Sequence, residues 1–158
     1  MRIVSYNVNG IRAAIKKGLI DWLTTYPVDV LCVQETKATP DDIDLKLFTD
    51  MGYHVSWYPA QKKGYSGVAV FSKKKPTYIA CGNGYEMSDY EGRVIRVDIG
   101  DLTIVNAYFP SGTSGEERQA YLKELNELNS PPEDPTPTFE GDDFKIDASI
   151  GEYRIGRL

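Results

Sequence analysis

The sequence predicts an α/β fold, a mixed β-sheet flanked by helices. Three observations carry that expectation. A strand-like run, a helical stretch and a second apolar run open the chain within residues 2–35. Five strand-like runs follow between residues 53 and 109, with no long helical stretch among them. The last two of these are joined by Gly100-Asp101 alone, the length of a tight hairpin turn.

Residues 2–7 (RIVSYN) alternate as a short strand, which Asn9-Gly10 breaks. Residues 11–25 put Ile11, Ile15, Leu19, Trp22 and Leu23 near one helical face, with Gly18 splitting the segment and Pro27 stopping it. Residues 28–35 (VDVLCVQE) are nearly all apolar, as in a strand covered on both faces. Thr39-Pro40-Asp41-Asp42 reads as a helix start: a capping residue, proline at the first position and acids in the first turn. That helix is expected to reach Met51 and end at Gly52. Strands are expected at 53–60, 67–72, 77–80, 93–99 and 102–109. Residues 116–129 return to helix, with Tyr121, Leu122, Leu125 and Leu128 on one face. Residue 130 is a boundary, because 130–138 (SPPEDPTPT) hold four prolines and read as an extended linker. Residues 144–157 alternate weakly around Ile150-Gly151, the pattern of a small hairpin.

Composition narrows the class. With 158 residues, 41% hydrophobic and 11% aromatic, the chain can build a core, which excludes a wholly disordered protein. No apolar run approaches the ~20 residues of a membrane span. Met1-Arg2 leads straight into an alternating segment without a signal-peptide pattern, so a soluble, cytoplasmic protein is expected. Cys32 and Cys81 both lie in apolar runs and make neither a disulfide framework nor a metal cluster. Net charge is −5, of which residues 129–158 carry −4. The near-neutral remainder holds basic clusters at Lys16-Lys17, Lys62-Lys63 and Lys73-Lys74-Lys75.

Three polar residues stand where apolar strands stop: Asn7, Glu35 and Tyr108. Alternation puts Leu31, Val33 and Glu35 on one face of their strand, and Asn106 with Tyr108 on one face of theirs. A carboxylate at the edge of a dry core needs a base, a donor network or a metal beside it. A carboxylate with a neutral carbonyl oxygen suits magnesium, which takes few protein ligands and keeps its waters. Structural readings of the same residues stand open. Glu35 can be a surface salt-bridge member, Asn7 a turn residue, and Tyr108 a core tyrosine with its hydroxyl at the rim.

With their flanks, these residues resemble the exodeoxyribonuclease III / abasic-site endonuclease family. The segments SYNVNGIRAA, LCVQETKA, GYSGVAVFSKKKP and EGRVIRVDIGDLTIVNAYFPSG carry the resemblance, in the family's order, from residue 1 to about 129. Residues 130–158, linker and acidic tail, do not share it. The resemblance implies roughly the first half of a four-layer α/β sandwich. It implies Mg2+ or Mn2+ at Glu35, assisted by Asn7, with Tyr108 donating to the scissile phosphate. Arg93 and Ser111 would be substrate contacts, and the 64–67 loop structural. The implied partner is duplex DNA with an abasic site or a 3′ end. Two other readings remain. One is a non-catalytic half-domain that needs a partner, self-associates through an uncovered sheet face or only binds DNA. The other is a related phosphodiesterase acting on a lipid or inositol phosphate.

The sequence departs from the family in its last thirty residues. Gly141-Asp142-Asp143-Phe144 resembles the family's Gly-Asp-x-Asn, with Phe144 in place of Asn, which makes Asp142 the candidate catalytic Asp. A later Asp and the Ser-Asp-His motif are absent from the sequence. Its one histidine, His54, lies in a strand-like run and is expected to be a surface or packing residue.

Overall fold

A computed structural model of the 158-residue chain describes residues 1–109 together with the helical residues Ala120 and Lys123. Of the expected helix at 116–129 only Ala120 and Lys123 are described, both helical; the proline-rich linker and the tail hairpin lie outside the described residues.

The order of elements is β1 (Ile3–Asn7), α1 (Ile11–Lys16), α2 (Leu19–Thr25), β2 (Val30–Gln34), α3 (Lys46–Thr49), β3 (His54–Tyr58), β4 (Val68–Ser72), β5 (Tyr78–Cys81), α4 (Glu86–Tyr90), β6 (Val94–Ile99) and β7 (Leu102–Ala107). The strands form two sheets. The first runs β1-β2-β4-β3, with β1 and β2 parallel and the other pairs antiparallel. The second is the antiparallel meander β5-β6-β7. The β6–β7 hairpin turns at Gly100-Asp101 as expected, in register Ile99↔Leu102.

β2 explains the layering. All five of its residues are buried, because each face has its own cover. Leu31 and Val33 point to the helices, into a core with Ile11, Leu19, Leu23, Phe48 and Phe71. Val30 and Cys32 point the other way and, with Val68 and Val70, meet Ile95, Val97, Ile99 and Ile104 of the second sheet. The result is helices on a sheet on a sheet. Buried Asn106 bonds the sheets together: its amide donates to the carbonyls of Val33 (3.0 Å) and Ala69 (2.9 Å) and accepts from Gln34 (2.6 Å).

Three expectations need correction. β5 and the β6–β7 hairpin form a second sheet that folds over the inner face of the expected mixed sheet, β1-β2-β4-β3. That face is therefore covered, which removes the bare apolar surface expected to drive self-association. The expected helix from Thr39 to Met51 is broken. Thr39 and Asp42 do form a capping box, but only on a 3-10 turn at Pro40–Asp42. Ile43 then turns extended (φ −136°) to pack against the core, and helix resumes at Lys46. Trp22 does not enter the core; it is 39% exposed, its ring 6.0 Å from that of Tyr26. The short helix α4 follows a loop at 82–85, which Asp89 folds onto the helix by accepting the N–H groups of Asn83 and Gly84. The split at Gly18 (φ 97°) and the stop at Gly52 (φ 80°) are as expected.

Candidate active site

β1 and β2 are parallel, so their C-terminal ends lie side by side, and the chain leaving each is held to the other. Val8, Gly10 and Ile11 donate backbone bonds to the carbonyls of Gln34, Glu35 and Thr36 at 3.1, 2.7 and 2.9 Å. On the other side of this segment, Thr36 and Lys37 donate to Gly67 (3.1 Å) and Ser66 (2.8 Å). Gly67 can approach only because it lacks a side chain: a Cβ there would sit 2.4 Å from Thr36 Oγ1. The 64–67 loop is structural, as expected.

This clamp puts three residues into left-handed backbone, Asn9 (φ 46°), Glu35 (φ 52°) and Lys37 (φ 49°). Among the described residues, only one other non-glycine, Ser66, does the same. Such conformations cost about 1 kcal/mol or more each and gather at functional sites. At Glu35 the change of φ ends the strand alternation, so the side chain leaves the Leu31 and Val33 face. It points instead to where β1 and β7 end.

Asn7 donates from Nδ2 to Glu35 Oε1 at 2.9 Å, while its Oδ1 accepts the Asn9 N–H at 3.0 Å. Lys37 Nζ stands 3.1 Å from Glu35 Oε2 and also donates to Asn9 Oδ1. The Tyr108 hydroxyl hydrogen-bonds the same carboxylate. Partial burial works against ionising Glu35. The bonds from Tyr108, Asn7 and Lys37, with the lysine charge, outweigh it and hold the carboxyl below its ordinary pKa. Tyr108 shifts upward, to about 12, because burial and the adjacent Glu35 anion both disfavour a phenolate. At neutral pH the pair is an anion beside a proton donor.

Tyr108 is held from below. Its N–H donates to the Arg93 carbonyl (2.8 Å), and Arg93 Nη1 donates back to the Tyr108 carbonyl (3.0 Å). The guanidinium lies 4.7 Å from the ring centroid and pairs with Glu91 at 2.6 Å. Arg93 is only 2% exposed. In the structure it supports Tyr108 from beneath. Gly92 fits between because a Cβ there would meet the Pro59 backbone at 2.6 Å.

Asn7, Glu35 and Tyr108, expected from separate strand ends, converge in the structure. Ser111 and Asp142 lie outside the described residues. Sequence reasoning passed over Lys37 and Asn9 as site members; their signal is proximity, each two residues beyond a marked side chain. His54 is exposed on β3 and far from this cluster. β3 is the opposite edge of the sheet from β1, and the registers His54↔Ser72 and Val30↔Ser72 set it level with the start of β2. Burial pushes the Cys32 thiol up to about 12, so it is no nucleophile. Among the described residues, no group of three or more His, Cys, Asp or Glu side chains gathers to hold a metal, and no helix is long and apolar enough to cross a membrane.

Residues 4–144 match the Endonuclease/Exonuclease/phosphatase family. The chain belongs to that family. Its match extends past the boundary at residue 130. Within the Endonuclease/Exonuclease/phosphatase family, the chain is 40% identical over 128 residues to an exodeoxyribonuclease of Bacillus subtilis, covering 80% of this chain and 50% of that protein. It is 39% identical over 139 residues to a DNA-(apurinic or apyrimidinic site) endonuclease of Dictyostelium discoideum, covering 80% and 38%. The structure of an AP endonuclease from Archaeoglobus fulgidus superimposes with a TM-score of 0.70 at 34% identity, covering 81% of this chain and 49% of that one. The chain therefore spans about half the length, or less, of these family members.

Proposed function

We propose that this chain is the metal- and phosphate-binding part of a DNA repair nuclease, which hydrolyses phosphodiesters of duplex DNA at abasic sites or 3′ ends. The observation that carries the reading is the convergence of Glu35, Asn7, Lys37 and Tyr108 on one partly exposed spot. The names of the relatives support DNA as the substrate. So does the placing of positive charge. The loop with exposed Lys62 and Lys63 ends at Ser66, whose carbonyl accepts the Lys37 N–H. Arg12, first-turn residue of α1, and Lys63 both act on Asp42. Exposed cations of this kind suit a phosphate backbone.

The donors fit a hard divalent cation. One carboxylate and one amide oxygen on a water-exposed rim are the sparse, oxygen-only set that magnesium or manganese accepts. Glu35 and Asn7 would hold it, and Lys37, on a flexible stem against Oε2, would give way. Such an ion supplies charge neutralisation at the phosphate oxygens. Tyr108 keeps its proton and donates a hydrogen bond to a non-bridging oxygen as charge builds there. Lys37, freed from Glu35, adds a second positive charge to the phosphate.

The described site residues include no assigned proton acceptor for the attacking water, and a second reading is a half-domain that binds metal and DNA without turnover. Asp142 is the candidate base and Ser111 a candidate substrate contact. Residues 130–158 would form a linker and acidic tail beside the 1–129 unit. Magnesium-dependent incision of an abasic duplex separates the readings. General-base help typically contributes 10²–10⁴-fold, so this chain is expected to cut at least about 10²-fold more slowly than the Bacillus subtilis exodeoxyribonuclease. Glu35→Ala and Tyr108→Phe must each remove whatever incision remains. Incision untouched by both changes would come from elsewhere and refute the site. Calorimetric titration with Mg2+ is expected to show weak binding that Glu35→Gln abolishes.

A further inference from the structure

Tyr108 stands one residue past β7, where the β6–β7 ladder has already stopped. The register Val94↔Ala107 carries on to set it opposite Arg93. Tyr108 donates its N–H to the Arg93 carbonyl at 2.8 Å, which makes this a hydrogen-bonded pair. In an antiparallel ladder such a pair returns a second backbone bond. Here the Arg93 N–H turns instead to the Ser88 carbonyl of α4, at 3.1 Å. The Arg93 side chain supplies the return bond, Nη1 donating to the Tyr108 carbonyl at 3.0 Å. The same guanidinium lies 4.7 Å from the Tyr108 ring centroid. One side chain therefore stands in for a ladder bond and braces the ring whose hydroxyl reaches Glu35.

The guanidinium is itself held. Its Nε donates to Glu91 Oε2 at 2.6 Å. Glu91 is fixed in turn through its backbone, donating to the Met87 carbonyl (3.1 Å) and accepting the Gly67 N–H (3.3 Å). Arg93 is 2% exposed, and Glu91 meets its charge. A buried ion pair is weak evidence of a stabilising role, because apolar side chains of similar size often serve as well. An apolar side chain cannot hold a carbonyl, a carboxylate and a ring face at fixed angles. Lysine cannot either, since it lacks the planar fork. Such fixing matters at a site, where a donor must be held to within about 0.5 Å of its working place. A hydroxyl at the far end of a tyrosine magnifies any turn of the ring.

We propose that Arg93, oriented by Glu91, is a positioning residue: it replaces the missing ladder bond, aims the Tyr108 hydroxyl at the Glu35 carboxylate and so at a phosphate bound there, and touches no substrate itself. Its effect on incision rests on the proposed nuclease function. The aiming of Tyr108 at Glu35 does not.

The test labels tyrosine Cζ with 13C and follows Tyr108 by NMR, its signal identified by its loss in Tyr108→Phe. In the otherwise unchanged chain, Glu35→Gln should shift that signal, because the hydroxyl bonds the carboxylate. In Arg93→Lys the signal should move and its response to Glu35→Gln should be lost. Glu91→Gln keeps Arg93 and an acceptor for Nε, and should move the signal in the same direction by less. Where Arg93→Lys does not fold, Glu91→Gln decides. In incision assays Arg93→Lys should lower kcat at least about tenfold, leave KM within about twofold, and add nothing to Tyr108→Phe. A Tyr108 signal that ignores Glu35→Gln in the unchanged chain overturns the proposal. So does a folded Arg93→Lys chain that keeps the response, or an unmoved signal in Glu91→Gln. A raised KM at unchanged kcat would put Arg93 on the substrate and overturn it, as would losses that add in the Arg93→Lys, Tyr108→Phe double variant. Loss of the response in Arg93→Lys, with no incision by the unchanged chain, sustains the positioning and decides against turnover by this chain.

Discussion

Glu35 follows five fully buried residues and yet stays charged. Its ionisation is an outcome of competing effects, so its stability contribution depends on pH. The folded-state pKa is depressed, which means the anion stabilises the fold above the unfolded value of about 4.3. That stabilisation is lost as pH falls through the folded value. Tyr108 has the opposite sign. Its folded pKa, raised to about 12, stabilises the fold below the ordinary phenol value of about 10 and is lost as pH climbs from there toward 12. Melting curves of wild type and Glu35→Gln should therefore differ at pH 7 and converge only once pH falls through the lowered pKa of folded Glu35. A gap that persists in acid would show that the hydrogen bonds, not the charge, couple Glu35 to its neighbours.

At the scale of elements, the close approaches are carried by particular glycines. Gly92 (φ 60°) lets α4 turn into β6 against the Pro59 backbone, and through it sets Arg93 under Tyr108. Gly92→Ala combines a left-handed alanine with a backbone clash, and about 3 kcal/mol of destabilisation is expected. Gly84 (φ 84°) has open space where its Cβ would go, so Gly84→Ala should cost only about 1 kcal/mol. Chemical denaturation of the two variants measures the difference directly. These elements also mark what the sequence could say. The strands were legible because their apolar runs are bounded by glycine, proline and polar turns. The helix from Thr39 was not, since the pull of the core on Ile43 outweighs a good cap. The clustering of Asn7, Glu35 and Tyr108 was legible as three strand ends. Their actual geometry was not, because alternation fails where Glu35 takes a positive φ. Lys37 gave only the faint signal of lying two residues beyond Glu35, since a lone lysine after a strand is ordinary.

At the scale of the whole molecule, one polar side chain reaches between the two sheets from within the core. Asn106 is 3% exposed and bonds residues up to 73 positions away. Asn106→Ala would leave the buried Gln34 amide and two carbonyls short of a partner, at about 1–3 kcal/mol for each group not rescued by water. A net loss of about 3 kcal/mol would lower Tm by roughly 6–12 °C for a domain of this size. Because Gln34 precedes Glu35 and Asn106 lies two residues before Tyr108, the loss should reach the site. Metal titration of Asn106→Ala should show weaker binding even where the fold survives.

The three left-handed residues around the site place folding and chemistry in opposition. Glycine or asparagine at positions 35 and 37 would relieve the backbone. The carboxylate and ammonium would be lost with the change. Glu35 and Lys37 stand next to Asn9 in the same strained backbone. The chain therefore keeps its most costly backbone where its chemistry would need it.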